Sequence, residues 1–123
     1  MATERKIGCN VYRCDKLPAD AAISLYLKVN ATFAGDPGVL ATIATSVSRE
    51  TAIQAFIQAT VASELDGDKV TSLVTEAVAL CKVGSDPCIV GVKPQSMEDT
   101  IEVAWFALGV QFADFIGAGL GQA

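Results

Sequence analysis

Apolar positions along this chain recur mostly at helical spacing. Between Pro18 and Asn30 they fall at Ala22, Leu25 (or Tyr26) and Val29, which predicts a first helix. Pro18 suits the first helical position, and Asp20 puts an acid in the first turn, where the helix dipole favours it. The breaker cluster Gly35-Asp36-Pro37-Gly38 predicts a second helix, capped by Asp36, that covers Val39 to about Thr45 and ends near Ser46. Ser48 then caps a third, with Glu50 in its first turn and Ile53, Phe56, Ile57, Thr60 and Val61 as its inward face. Asp66-Gly67-Asp68 interrupts, and a fourth helix follows on a clean stripe of Val70, Leu73, Val74, Ala77 and Cys81. Residues 18–83 are therefore read as helices, with Cys81 a small buried apolar residue.

Strand patterns are confined to two places. Residues 5–14, RKIGCNVYRC, predict a hairpin in which Gly8 and Asn10 flank Cys9 in the turn. After a loop at Gly84-Ser85-Asp86-Pro87, the β-branched run Cys88–Val92 predicts one short strand, placed to join the hairpin in a three-stranded sheet. Ser96-Met97-Glu98-Asp99 reads as a capping box that opens a last helix over residues 97–116, and residues 117–123 read as a frayed tail. The expected fold is mostly α (α+β): a single domain over residues 1–123, with about five helices, a small N-terminal hairpin and one short strand. No internal repeat or dividing linker interrupts it.

The last helix carries the stretch VAWFALGVQFADFIG, residues 103–117, which holds the single Trp and three of the five Phe. Trp105, Leu108, Phe112 and Phe115 share one face, while Phe106, Val110 and Ile116 lie off it. The apolar stripe is wider than one buried face needs. A membrane span is a poor reading, because Asp114 interrupts the run, glycines follow it and no basic flank anchors either end. A core helix accounts for part of the stripe and a surface kept for a partner accounts for the rest.

Composition narrows the chemistry. The chain has 123 residues and a net charge of −5, and its nine Lys and Arg are spread out, so a nucleic-acid surface is not expected. Histidine is absent, which removes the commonest general base, the commonest zinc ligand and the Ser-His and Cys-His nucleophile pairs. Cys9, Cys14, Cys81 and Cys88 do not match the tight spacing of zinc sites, and the start MATERKIG has no apolar core of a signal peptide. Reduced thiols in a cytosolic protein are expected, with a Cys9–Cys14 or a Cys81–Cys88 contact left open. Asp66-Gly67-Asp68 lacks the later ligands of a calcium loop, and no phosphate-cradling glycine motif is present. Glu98, Asp99 and Glu102 are better explained by helix capping and dipole complementarity than by acid–base work. The reading is of a non-enzyme, with no catalytic residue, metal or cofactor.

The order of these pieces resembles a known pattern. A basic hairpin with a Tyr (RKIGCNVYRC) precedes a Leu-Pro-Ala helix start (KLPADAAISLYLKV), a helix ending in Cys with a strand after it (ALCKVGSDPCIVGV) and a Trp helix closing on QFADFIG. This resembles the tail assembly chaperones of long-tailed bacteriophages and phage-derived elements, with their "VxWxxLxxNFxxFF"-like ending. Here Gln111 stands where Asn is usual, and Ile116 where a second Phe is. The resemblance implies a protein of the host bacterial cytoplasm that binds the phage tape measure protein, keeps it soluble and helps recruit tail tube subunits. It also implies absence from the finished virion and, often, a longer product made by frameshifting. Trp105, Phe106, Phe112, Phe115 and Ile116 are the candidate partner-binding residues. Self-association is compatible with the Ala-rich apolar surface. The rival reading is a structural virion component such as a tail-completion or connector protein.

Overall fold

The computed structural model describes residues 2–33, 37–45, 48–62 and 65–119. The expected cap at Asp36, the expected helix end at Ser46 and the tail after Gly119 lie outside these residues. In chain order the elements are β1 (Ala2–Ile7), β2 (Asn10–Asp15), α1 (Ala19–Thr32), α2 (Pro37–Thr45), α3 (Arg49–Ala62), α4 (Gly67–Val78), β3 (Cys81–Val83), β4 (Asp86–Pro87) and α5 (Met97–Gly119). The mostly helical α+β fold expected from the pattern is the fold observed.

The helix starts follow local chemistry. Pro18 is the residue before α1, and its carbonyl accepts the Ala22 N–H at 2.9 Å. Ser48 Oγ accepts the Thr51 N–H at 3.4 Å. Asp66 caps α4 through the N–H groups of Asp68 and Lys69, so the Asp-Gly-Asp turn is a helix start. Ser96 Oγ accepts the Asp99 N–H at 3.1 Å, the first half of the predicted capping box. The carboxylate of Asp99 turns away to accept from Arg49 Nη1 at 2.6 Å. Helix α1 buries Leu25 and Val29, and α4 buries Val70, Leu73, Val74, Ala77 and Val78.

Three expectations need correction. The strand does not lie at Cys88–Val92. It lies at Cys81–Val83, inside the span read as helix, and a two-residue turn at Gly84-Ser85 joins it to β4. Ile89, Val90 and Val92 are instead exposed on a tight loop closed by hydrogen bonds between Ile89 and Lys93 and from the Gly91 N–H to Pro94. β-Branched residues there satisfy the chain's strand propensity locally but find no neighbouring strand to pack on. The sheet consequently has four antiparallel strands, in the order β1-β2-β3-β4. Second, the inward face of α3 runs through Ala52 and Ala59, with Ile53 and Phe56 of the expected face half-buried against the core, while Ile57 and Val61 are exposed. Apolar residues surround this helix on several sides, and the small alanines allow the close approach to α2 and α5. Third, α5 has no single buried face: every residue from Ile101 to Gly109 is buried.

Helix α5 is the centre of the molecule. It packs on α1, α2, α3, α4, β1 and β2. Trp105 meets Phe33 and Phe56 edge-on, at ring distances of 5.9 and 6.0 Å. At Gly109 a Cβ would sit 3.4 Å from the Ile43 carbonyl oxygen, so the missing side chain lets α2 lie close. Glu102 is a charged residue in this buried stretch, with its side chain 8% exposed. Arg5 from β1 reaches it at 3.4 Å and Arg49 from α3 at 3.7 Å, so the charge is compensated from both sides. Burial pushes the Glu102 carboxyl above its ordinary range, against the pull of the two arginines.

Two expected outcomes follow from this corner of the fold. Gly8 sits in the β1–β2 turn at φ +62°, and a Cβ there would lie 2.7 Å from Asp99 Oδ2, a carboxylate that Arg49 holds in place. Gly84 has the same φ with open space around it. In urea denaturation, Gly84→Ala should cost about 1 kcal/mol for the left-handed backbone alone, and Gly8→Ala about 1 kcal/mol more. Equal losses would mean that Asp99 yields freely. For Glu102, the folded chain holds the proton more tightly than the unfolded chain. The wild type should therefore lose stability relative to Glu102→Gln as pH rises from the ordinary value of 4.5 through the raised one. The difference between their unfolding free energies, followed from acid to neutral pH, checks this. A trend of the opposite sign would show that the arginines outweigh burial.

Candidate functional site

The structure separates the five residues proposed for partner binding. Trp105, Phe106, Phe112 and Ile116 are between 2% and 7% exposed, so the chain's own core already occupies them. Phe115 is 61% exposed. Its ring lies on the side of α5 that faces α1, while Ile116 beside it stays buried.

Between α1 and α5 lies a groove of about 320 Å³, lined by Ala19, Ala22, Ile23, Tyr26, Gln111, Phe112 and Phe115. Tyr26 forms its aromatic floor, meeting Phe112 at 5.7 Å and Phe115 at 5.2 Å, both edge-on. Small residues at Ala19 and Ala22 keep the α1 side shallow. Ile23 and, one turn on, Leu27 project from α1 with about 60% of their surface exposed. They lie on the side of the helix away from the buried Leu25 and Val29.

A single amide sets the width of this groove. Gln111 is 9% exposed. Its Nε2 donates to the Asp15 carbonyl at 2.8 Å, and its Oε1 accepts the Leu17 N–H at 2.8 Å. Asp15 ends β2, and Leu17 lies on the segment that links it to α1. Gln111 therefore fixes where α1 begins relative to α5, and with it the distance between Ile23 and Phe115. Both ends of the amide are satisfied by backbone, so it can stay buried beside apolar side chains at little cost. At the rim, Lys16 and Asp114 pair at 3.3 Å on an exposed surface, a contact worth little stability.

The arrangement offers desolvation. A Leu- or Phe-sized side chain seated between Ile23 and Phe115 would bury apolar surface worth about 1.5–3 kcal/mol. The acidic residues at the start of α5 do structural work: Asp99 and Glu102 hold Arg49, and Glu102 holds Arg5. Sequence reasoning found Phe112 and Phe115 but missed Ile23 and Gln111. Ile23 and Leu27, at i and i+4 on the otherwise polar side of α1, were the signal available for the first. The role of Gln111 depends on a contact 96 residues away along the chain and left no local trace.

No helix among the described residues is long and apolar enough to cross a membrane. Comparison with curated proteins and with solved structures found no match. Comparison with protein families did: the model for "Phage tail assembly chaperone protein, TAC" matches residues 8–122, from the hairpin turn onward. The match takes in the Trp-bearing helix, the groove and the Leu-Pro-Ala start of α1, and on that extent the chain belongs to the phage tail assembly chaperone family.

Proposed function

We propose that this chain binds the tape measure protein of its phage in the cytoplasm of the infected bacterium, keeps it soluble, and helps recruit tail tube subunits around it, without catalysis. The observation that carries this reading is the groove between α1 and α5, with Phe115 and Ile23 exposed on its two walls. A tape measure protein is a long helix with an apolar stripe, and such a helix aggregates unless the stripe is covered. A chaperone for it needs apolar contact area on a surface that stays soluble by itself, and a net charge of −5 supplies the second requirement. An aromatic anchor beside a shallow groove suits a helix that must be held and later released.

Co-expression with the tape measure protein of the same phage tests the proposal. The wild-type chain should bring it into solution and co-purify with it. Phe115→Ser should fold with a loss below about 1 kcal/mol, because the ring is mostly exposed, yet bind at least tenfold more weakly. Phe112→Ala should instead lose about 3–5 kcal/mol of stability. A tape measure protein left insoluble and unbound by the wild type would refute the function. Unchanged binding by Phe115→Ser would refute the site. Mass spectrometry of mature particles should find no copies of the chain, whereas stoichiometric copies would make it a structural virion component.

A further inference from the structure

Three of the four cysteines are brought together by the sheet. Cys14 on β2 stands opposite Cys81 on β3. Lys82 and Val83 of β3 stand opposite Pro87 and Asp86 of β4, and the same register extended by one residue sets Cys88 opposite Cys81. The Cys88 N–H donates to the Cys81 carbonyl at 3.4 Å. The backbone groups of a strand residue point to one side, so those of Cys81 face Cys88 and not Cys14. Cys14 and Cys81 are therefore a non-hydrogen-bonded pair, with Cα atoms about 4.5 Å apart and side chains at their closest. This distance, and the roughly 5.5 Å of the Cys81–Cys88 pair, both lie in the range that a disulfide spans. All three residues are buried, Cys14 and Cys81 completely, and all three are free thiols. Gln111 Nε2 donates to Cys14 Sγ at 3.7 Å, and the Cys14 thiol donates to the Asp15 carbonyl at 3.7 Å.

We propose that Cys14, Cys81 and Cys88 form an oxidation site, in which hydrogen peroxide joins Cys14 to Cys81 across β2 and β3 and Cys88 is the thiol placed to exchange into that bond. Cys14 is the attacking sulfur. The neighbouring Cys81 thiol first, and then the Gln111 amide, hold its thiol below the ordinary range, while the Cys14 sulfur and burial push Cys81 up. The Cys14 thiolate attacks one peroxide oxygen and the O–O bond breaks, giving a sulfenic acid and hydroxide, which takes a proton and leaves as water. The Cys81 sulfur then attacks the Cys14 sulfur, its proton goes to the departing hydroxyl, and a second water leaves. Two thiols lose two electrons in all, and one peroxide becomes two waters. Cys88 can subsequently attack Cys81 Sγ, forming a Cys81–Cys88 bond and releasing the Cys14 thiolate.

The test uses the full chain carrying Cys9→Ser, so that the exposed turn cysteine cannot link two molecules. The folded protein is treated with peroxide, alkylated in denaturant and mapped as peptides without reductant. The expected product is a Cys14–Cys81 linked peptide, with Cys88 still alkylated. Adding Cys14→Ala should lower linkage at least tenfold, because the attacking sulfur is gone and no Cys14–Cys81 bond forms for Cys88 to exchange into. Adding Cys81→Ala should lower linkage at least tenfold, because Cys14 and Cys88 then stand two strand spacings, about 10 Å, apart. Circular dichroism confirms that each variant is folded, and if the alanine variants unfold, the map of the folded Cys9→Ser chain decides alone. Cys14 and Cys81 fully alkylated after peroxide treatment, or carried to sulfinic acid without a link, would overturn the proposal.

Discussion

Everything in this molecule is arranged around the burial of one helix. From Ile101 to Gly109 every residue of α5 is buried, so this stretch must be covered on all sides by the rest of a small chain. Four helices and the first two strands do so. The demand explains why the stretch is apolar all round, where an ordinary surface helix would show one stripe. It also explains the ion cluster at the start of α5. Glu102 lies within the covered segment, and a carboxylate there is tolerable only with cations close by. Arg5 and Arg49 provide them from β1 and α3, so that one buried charge ties the hairpin and a helix to the hub.

The same helix changes character two turns later. Phe112 still points inward, but Phe115 stands clear of the core, and the groove opens where α5 passes α1. Gln111 sits at the change, bonded to the backbone on both sides of Lys16, and converts the rigid part of α5 into a reference point for α1. A continuous helix thus holds the core at one end and presents an aromatic anchor at the other. For a member of the tail assembly chaperone family this is an economical way to display apolar surface without loosening the fold. The exposed ring belongs to the same continuous helix whose earlier turns are buried in the core.

Much of this architecture was legible along the chain. The four earlier helices follow from spacing, caps and breakers, and the hairpin from RKIGCNVYRC. The strand was misplaced for a definite reason: Cys81 falls four residues after Ala77, so the helical stripe of α4 appears to run on through it. Only long-range pairing with Cys14 reveals that the chain has already turned into β3. Cys88–Val92 looks like a strand by composition, but most of it lies exposed on a loop. The inward face of α3 was only half right: Ile53 and Phe56 do pack against the core, but Ile57 and Val61 were weighted over Ala52 and Ala59, and close helix contact favours the small residues. At the site, local periodicity identified α5 but could not say which aromatics its neighbours would cover. That depends on how α1, α2 and α3 are placed in space, and the spacing within α5 carries no record of it.

The central claim is that α5 is a fixed hub whose last turns, with α1, form the contact surface. Hydrogen exchange on the full chain, measured alone and with a helical segment of the tape measure protein, tests it most directly. Amides of Ile101–Gly109 should be among the slowest to exchange in both states, opening only with global unfolding. Added protection on binding should fall on the segments around Ala19–Leu27 and Gln111–Ile116. Early exchange within Ile101–Gly109, or protection confined to the exposed apolar loop at Ile89–Met97, would contradict the account.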